Sequence, residues 1–482
     1  MALALAAATG LQATVTVYPA GPGVATADSY TVSVRQSGTG QWQPVDVYPV
    51  RLQNTRLVDG KVKSTVETAS MAYFDFDGSV DVRVVAKYVH VDSARIRPLS
   101  YNLTPSITGD TLYFSLDRPH NLSVEVNGDI FRNLHLFANP LDTRRPTAKQ
   151  LKNLKKNKNL IYFAPGLHKL EGGELKVPSG TTVYVDGGAL VEGQLRLDNV
   201  SDVRICGRGE IRPHGRGEGV YIANSRRIEA DGVIVSQIPV GGSDSVSITN
   251  VKSLTHYGWG DGMNVFASNN VHYDGVFCRN SDDCNTVYAT RKGYVGGCKN
   301  ITMENSTLWA DVAHPIMIGL HGSATEIGPD AAPDTIVNLT YRNLDILDQN
   351  ELQKDYQGVF GISCGDNNIV RNVTFDNIRV EDIRCGQLVN IRIFFNTKYC
   401  KAPGTCVDNV LFRDITYNGR NASTSIIAGY DDNRKVTDIT FENLTVNGVK
   451  ITDDMPGKPK WYKAGDMCDI YVGEHVENIV FK

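Results

Sequence analysis

VNLTYRNL at 337–344 returns as RNVTFDNI at 371–378, DNVLFRDI at 408–415 and TDITFENL at 437–444, with the same order of residue classes each time. A polar residue, preceded by a second in all but the first of these copies, stands before an apolar one, apolar and variable positions alternate, and a polar residue stands before a final apolar one. Alternation of period two marks a half-buried strand, and the Asn or Asp two residues after the second apolar position marks a turn. Each phrase therefore reads as one strand and one corner. Further copies are NVSDVRI at 199–205, NNVHYDGV at 269–276, KNITMENS at 299–306 and a closing ENIVF at 477–481. Returns at roughly 20 to 40 residues, with no helices between, are the signature of a solenoid whose coils bury their faces against one another. The predicted fold class is all-β, a right-handed parallel β-helix. A propeller would need four strands per unit and a leucine-rich array its own consensus, and the phrases supply neither.

Upstream, LIYFAPGLHKL at 160–170 and TTVYVDGGALVEGQLRL at 181–197 carry the pattern of opening coils. Before them the pattern changes: TVTVYP, SYTVSVRQ, DVRVVAKYVHV and TLYFSL alternate between turn residues without the Asn phrase, which reads as an antiparallel β-sandwich. The chain thus divides into a sandwich over 11–140, a linker over 141–158 and a β-helix over 159–482. The sandwich either caps the helix or helps to hold polymer. The basic run from Arg144 to Lys158 falls in the linker and reads as a solvated segment or surface helix. ALALAAAT at 2–9 is short, apolar and small, like the end of a signal peptide, so residues 1–10 read as a residual signal or a scar. Secreted or periplasmic localisation follows. No run of about 18 apolar residues predicts a membrane span.

A formal charge of −4 over 482 residues, scattered in both signs, argues against a nucleic-acid partner, gives a strongly anionic polymer no basic track and favours a neutral ligand. It does not speak to oligomeric state. The nine cysteines include no CxxC pair, so no metal–thiolate site and no cofactor is expected. Cys400 and Cys406 flank a loop short enough for a disulfide, with buried thiols as the alternative, and Cys206, Cys278, Cys284 and Cys298 lie among strands. Asn-x-Ser/Thr sequons recur from Asn102 to Asn443, as in a glycosylated secreted protein, although the repeat itself generates several of them.

Chemistry concentrates in GWGDGMN at 258–264 and NSDDCN at 280–285. Asp261 and Asp282 are 21 residues apart, close to one short coil, so Asp261, Asp282 and Asp283 should share one patch on adjacent rungs about 4.8 Å apart. Like charges that close cannot all ionise cheaply, so at least one holds its proton near neutrality. Glycosidic hydrolysis needs that mixture, a protonated acid for the leaving oxygen and an ionised carboxylate for water. Turn aspartates or a calcium site would look the same in sequence. His314 and His321 lie on the next phrases, where each could bind a sugar hydroxyl or hold a carboxylate. Trp259, Trp309, Tyr257 and Tyr288 crowd the same rungs, as sugar-stacking faces or as core.

The order Asp261-Gly262, Asp282-Asp283-Cys284 and AHPIMIG at 313–319 resembles the family 28 glycoside hydrolases, the polygalacturonases. Over a longer span, RIRPLSYNL, LHLFANP, IYFAPGLHKL, GALVEGQLRL, LWADVAHPIMIG and GVFGISCGDNN resemble landmarks of family 49, the dextranases and isopullulanases. The resemblance implies an inverting enzyme on a parallel β-helix, with an N-terminal β-sandwich in family 49. It implies Asp282 as general acid, Asp261 and Asp283 as the carboxylates that activate water, and His314 at the position of the polygalacturonase Gly-His-Gly histidine. Departures matter as well. Phe360-Gly361-Ile362 stands where polygalacturonases carry Arg-Ile-Lys, Gly319-Leu320-His321 replaces a Gly-Trp, and CNTVYA lacks the lysine that family 49 places after its Asp pair. Arg291 and Lys292 read as solvated surface, with a place near the cleft on a following loop as the alternative. The leading expectation is therefore hydrolysis of an α-linked neutral polysaccharide, dextran or a related α-glucan. The alternatives are a polygalacturonase-like hydrolase or lyase on another polysaccharide, and a noncatalytic carbohydrate-binding solenoid.

Overall fold

The computed structural model describes residues 14–38 and 40–482; the segment read as a signal remnant lies outside them. Among the described residues, thirty strands from Leu160 onward join in one hydrogen-bonded order whose long-range pairs are parallel. This is a parallel β-helix. Its interior follows from the repeat phrase. The second apolar position places Tyr341, Phe375, Phe412, Phe441 and Phe481 on successive coils, and their rings stack with centroids 4.6–5.3 Å apart.

The corners explain the asparagines. Asn338, Asn372 and Asn409 all adopt the left-handed conformation, with φ between 54° and 59°, which Asn tolerates better than other side chains. Each donates its side-chain N–H to the asparagine one coil before, Asn372 to Asn338 at 3.1 Å and Asn409 to Asn372 at 2.8 Å. The sequons at Asn300, Asn338 and Asn372 are thus rungs of this ladder, and their number is accounted for by the fold.

The N-terminal part forms two facing sheets, of six and five strands. Pairing is antiparallel apart from Lys61–Phe76 against Asp129–Pro140, which run parallel. This unit lies along the flank of the helix. Tyr48, Leu52, Tyr73 and Phe137 share an apolar cluster with Ile234 and Phe277 of the coils. Buried ion pairs cross the same contact, Arg208 with Asp75 at 2.8 Å and Arg97 with Glu381 at 2.6 Å. The segment between the two parts holds a short helix, Ala148–Lys152, closed at its start by a capping box from Thr147 and Gln150. All nine cysteines are free thiols, Cys400 and Cys406 included. Cys400 instead donates to the Leu320 carbonyl at 3.4 Å.

Candidate active site

Short strands Met263–Phe266, Asn285–Tyr288 and Ile316–Ile318 stack on consecutive coils of one sheet. The turn before each strand carries the acidic and imidazole groups. Gly262 N–H donates to the Asp283 carbonyl and Met263 N–H to that of Cys284, each at 2.8 Å. Asp261 therefore stands in register with Asp283, and Asp282 sits one residue earlier on the same turn. A 21-residue spacing would put Asp261 beside Asp282; the coil is one residue longer. Gly262 permits the close approach, since a Cβ there would lie 2.4 Å from the Cys284 carbonyl oxygen. Ser281 N–H donates to Thr255 Oγ1 at 2.9 Å, which ties the turn to the coil beneath.

The three aspartates face a cleft of about 830 Å³. Burial, then the charge of Asp283, pushes the Asp261 carboxyl up to about 7, although Asn264 donates to it at 2.5 Å. Asp282 is raised well above the ordinary carboxylate range, first by burial and then by Asp261 and Asp283. Its Oδ1 accepts only one backbone bond, from Asp283 N–H at 3.0 Å. Asp283 is held quite differently. Its Oδ1 accepts from His314 Nδ1 at 2.7 Å and from His314 N–H at 3.2 Å, and its Oδ2 accepts from the Tyr288 hydroxyl at 3.1 Å. The arrangement can keep one carboxyl protonated beside another that is anchored by three hydrogen bonds. Among the described residues no cluster of His, Cys, Asp and Glu has the arrangement of a metal site.

His314 lies under the cleft and not in it. It is fully buried, and its Nε2 donates to the Tyr356 carbonyl at 2.7 Å, so both ring nitrogens are engaged within the protein. Burial alone would lower its pKa, but Asp283 outweighs that and raises it. Contact with substrate is corrected to contact with Asp283. Trp309 is corrected too. It is fully buried, with the Arg279 guanidinium 3.6 Å over its ring, where the flanking sandwich covers the helix.

Trp259, Tyr288 and His321 do line the cleft, with Tyr257. Trp259 is 76% exposed, backed by the Arg216 guanidinium 4.7 Å away. Burial, then Arg291, holds the His321 imidazole down at about 3, so it is neutral, and its Nδ1 has no hydrogen-bond partner. Asn264 Oδ1 is likewise unpartnered. Both atoms are shielded from solvent.

Other lining residues come from loops that sequence reading left aside: Glu351 and Tyr356 from one, Lys398, Tyr399 and Lys401 from another. Of the two readings for Arg291 and Lys292, the structure shows the place beside the cleft. Lys292 Nζ lies 5.3 Å over the Phe266 ring, and Arg291 faces Glu326 at 3.5 Å. These loops carry no periodic signal, and only the folded chain brings them beside the aspartates.

One consequence can be measured without a substrate. Below about pH 4 both folded and unfolded chains hold the Asp261 proton; as pH rises towards 7 the unfolded chain releases it while the folded one retains it, so the native state loses stability. Asp261→Asn removes this penalty, which is at most about 4 kcal/mol for a shift of this size. The substitution is therefore expected to raise Tm clearly at pH 8 and little at pH 4 by scanning calorimetry. Equal shifts at both pH values would contradict the raised carboxyl.

No protein-family model and no curated protein sequence matches this chain. Solved structures do. Dex49A from Penicillium minioluteum aligns with a TM-score of 0.58 at 14% identity, over 96% of this chain and 96% of that one. The family 28 exopolygalacturonase of Yersinia enterocolitica aligns at 0.47 and 13% identity, over 84% of this chain and 96% of that one. The likeness to Dex49A is one of fold, along nearly the whole of both chains.

Proposed function

We propose that the protein is an inverting glycoside hydrolase of polysaccharides, acting on an α-linked neutral glycan, with dextran or a related α-glucan first. The observation that carries this reading is the unequal treatment of neighbouring carboxyls in one open cleft. Asp282, raised by burial and by two carboxyl neighbours, is suited to protonate the leaving oxygen. Asp283, fixed by His314 and Tyr288, and Asp261 are suited to take the proton of an attacking water. Trp259 offers an exposed ring face for a sugar. The fold shared with Dex49A supports the same direction, as does the family 49 resemblance of the sequence.

A neutral sugar at the cleavage point is favoured because Gly361, the outward position of strand Phe360–Cys364, brings no cation to the floor. One observation favours an acidic polysaccharide instead: Arg216, Arg291, Lys292, Lys398 and Lys401 all line the cleft. A product-size assay on dextran, pullulan, mixed α-glucans and polygalacturonate separates these readings. Cleavage of a neutral α-glucan is expected. Cleavage of polygalacturonate alone would transfer the assignment to acidic chains, and binding without cleavage would leave a carbohydrate-binding solenoid.

A further inference from the structure

The outward face of the cleft-bearing sheet continues beyond the aspartates. Register carries it from Thr286 through Gly361, Asn390 and Ile426 to Tyr471 near the last coil. Elsewhere in the helix the aromatic residues of the repeat stack inside. Among the described residues three near this face are exposed: Tyr471 on the face itself, at 58%, and Phe395 and Tyr430 just past its strand ends, at 41% and 45%. Phe395 and Tyr430 each lie two residues beyond strands Val389–Ile393 and Ser425–Ala428, which pair on adjacent coils. Their rings meet edge to face, 6.4 Å apart. Tyr471 leans along the sheet towards Gly473, where a Cβ would stand 3.3 Å from its ring.

Continuity with the cleft identifies the occupant. Phe395 begins the segment that runs into the cleft-lining residues Thr397 to Lys401. From the coil of Asp283 to that of Tyr471 is a distance of about 24 Å at the usual spacing of adjacent strands, longer than any single sugar ring. The C–H faces of pyranose rings pack on aromatic faces without needing charge. We propose that Phe395, Tyr430 and Tyr471 form a distal glycan-binding track, which holds a continuation of the polysaccharide chain cut at the aspartates. The inference rests on the hydrolase reading for its substrate, and it implies that the enzyme gains from long chains.

The test compares the Tyr430→Ala/Tyr471→Ala double variant with wild type on the cleaved polymer and on the shortest oligosaccharide still cleaved. For the polymer, kcat/KM should fall about tenfold, the equivalent of one or two lost ring contacts. For the oligosaccharide it should not change, and Tyr430→Trp should retain polymer activity. Unchanged polymer kcat/KM, or an equal loss on both substrates, overturns the track. If sizing chromatography shows a wild-type dimer that the double variant splits, with polymer activity unaltered, the face is a contact between copies and the track fails. Affinity electrophoresis in gels containing dextran, pullulan or polygalacturonate keeps the two readings separable. Retardation that the double variant loses supports the track even if no polymer is cleaved, whereas no retardation of either protein overturns it.

Discussion

Asp282→Asn should lower turnover of the cleaved polysaccharide by about 10²–10⁴-fold, the range expected for loss of a general acid, while binding of the polymer is retained. The substitution keeps the shape of the side chain and its bond from Asp283 N–H, found at 3.0 Å, but leaves no proton to donate to the leaving oxygen. It also removes one carboxyl from a buried group of three, so the fold should not suffer. Steady-state kinetics and affinity electrophoresis on the same preparation read both halves. A loss of binding that parallels the loss of turnover would point to a structural role. Unchanged turnover would remove Asp282 from the chemistry.

His314→Ala should be the most damaging change outside the aspartates. It takes the 2.7 Å imidazole bond from Asp283 Oδ1 and leaves the buried carboxyl with the backbone N–H of residue 314, at 3.2 Å, and the Tyr288 hydroxyl, at 3.1 Å. Breaking a buried ion pair from one side costs about 3–5 kcal/mol, and misplacing the water-activating group costs on the order of 10²-fold in rate. His314 is a positioning residue, so its test needs more than activity. Without the imidazole Asp283 should lose its fixed position, which lowers kcat while KM for the polymer stays nearly unchanged. His314→Gln, which restores a donor without the charge, should recover stability and kcat in part. A loss of stability with kcat of the folded fraction unchanged would assign His314 to folding alone.

Much of the fold is legible because the repeat phrase is physically redundant. The alternation that places Phe375 and Phe412 inside and the asparagines that turn the corners say the same thing on every coil. The aspartates are legible for a related reason, since residues on neighbouring turns of a short coil must be close. The exact partner is less so: one extra residue in the coil pairs Asp261 with Asp283. Trp309 shows where a one-strand reading fails. Alternation rightly places it outside the helix, since Leu308 beside it is in the core, but nothing local reveals that Arg97 and Arg279 cover it under the sandwich. For His314 the choice between sugar and carboxylate is likewise not local, because its burial depends on the loop that carries Tyr356. The cleft walls at Glu351 and Lys398–Lys401 come from loops joined only by the long-range register of the coils.

The most direct test of the central claim is the configuration of the first-formed reducing end, read by proton NMR during early hydrolysis of whichever polysaccharide the wild type cleaves. Water activated by Asp261 and Asp283 while Asp282 protonates the leaving oxygen must displace it from the opposite face. An α-linked substrate should therefore yield the β-anomer first, followed by slow mutarotation. The α-anomer as first product would mean a covalent glycosyl-enzyme and would contradict the roles given to all three aspartates.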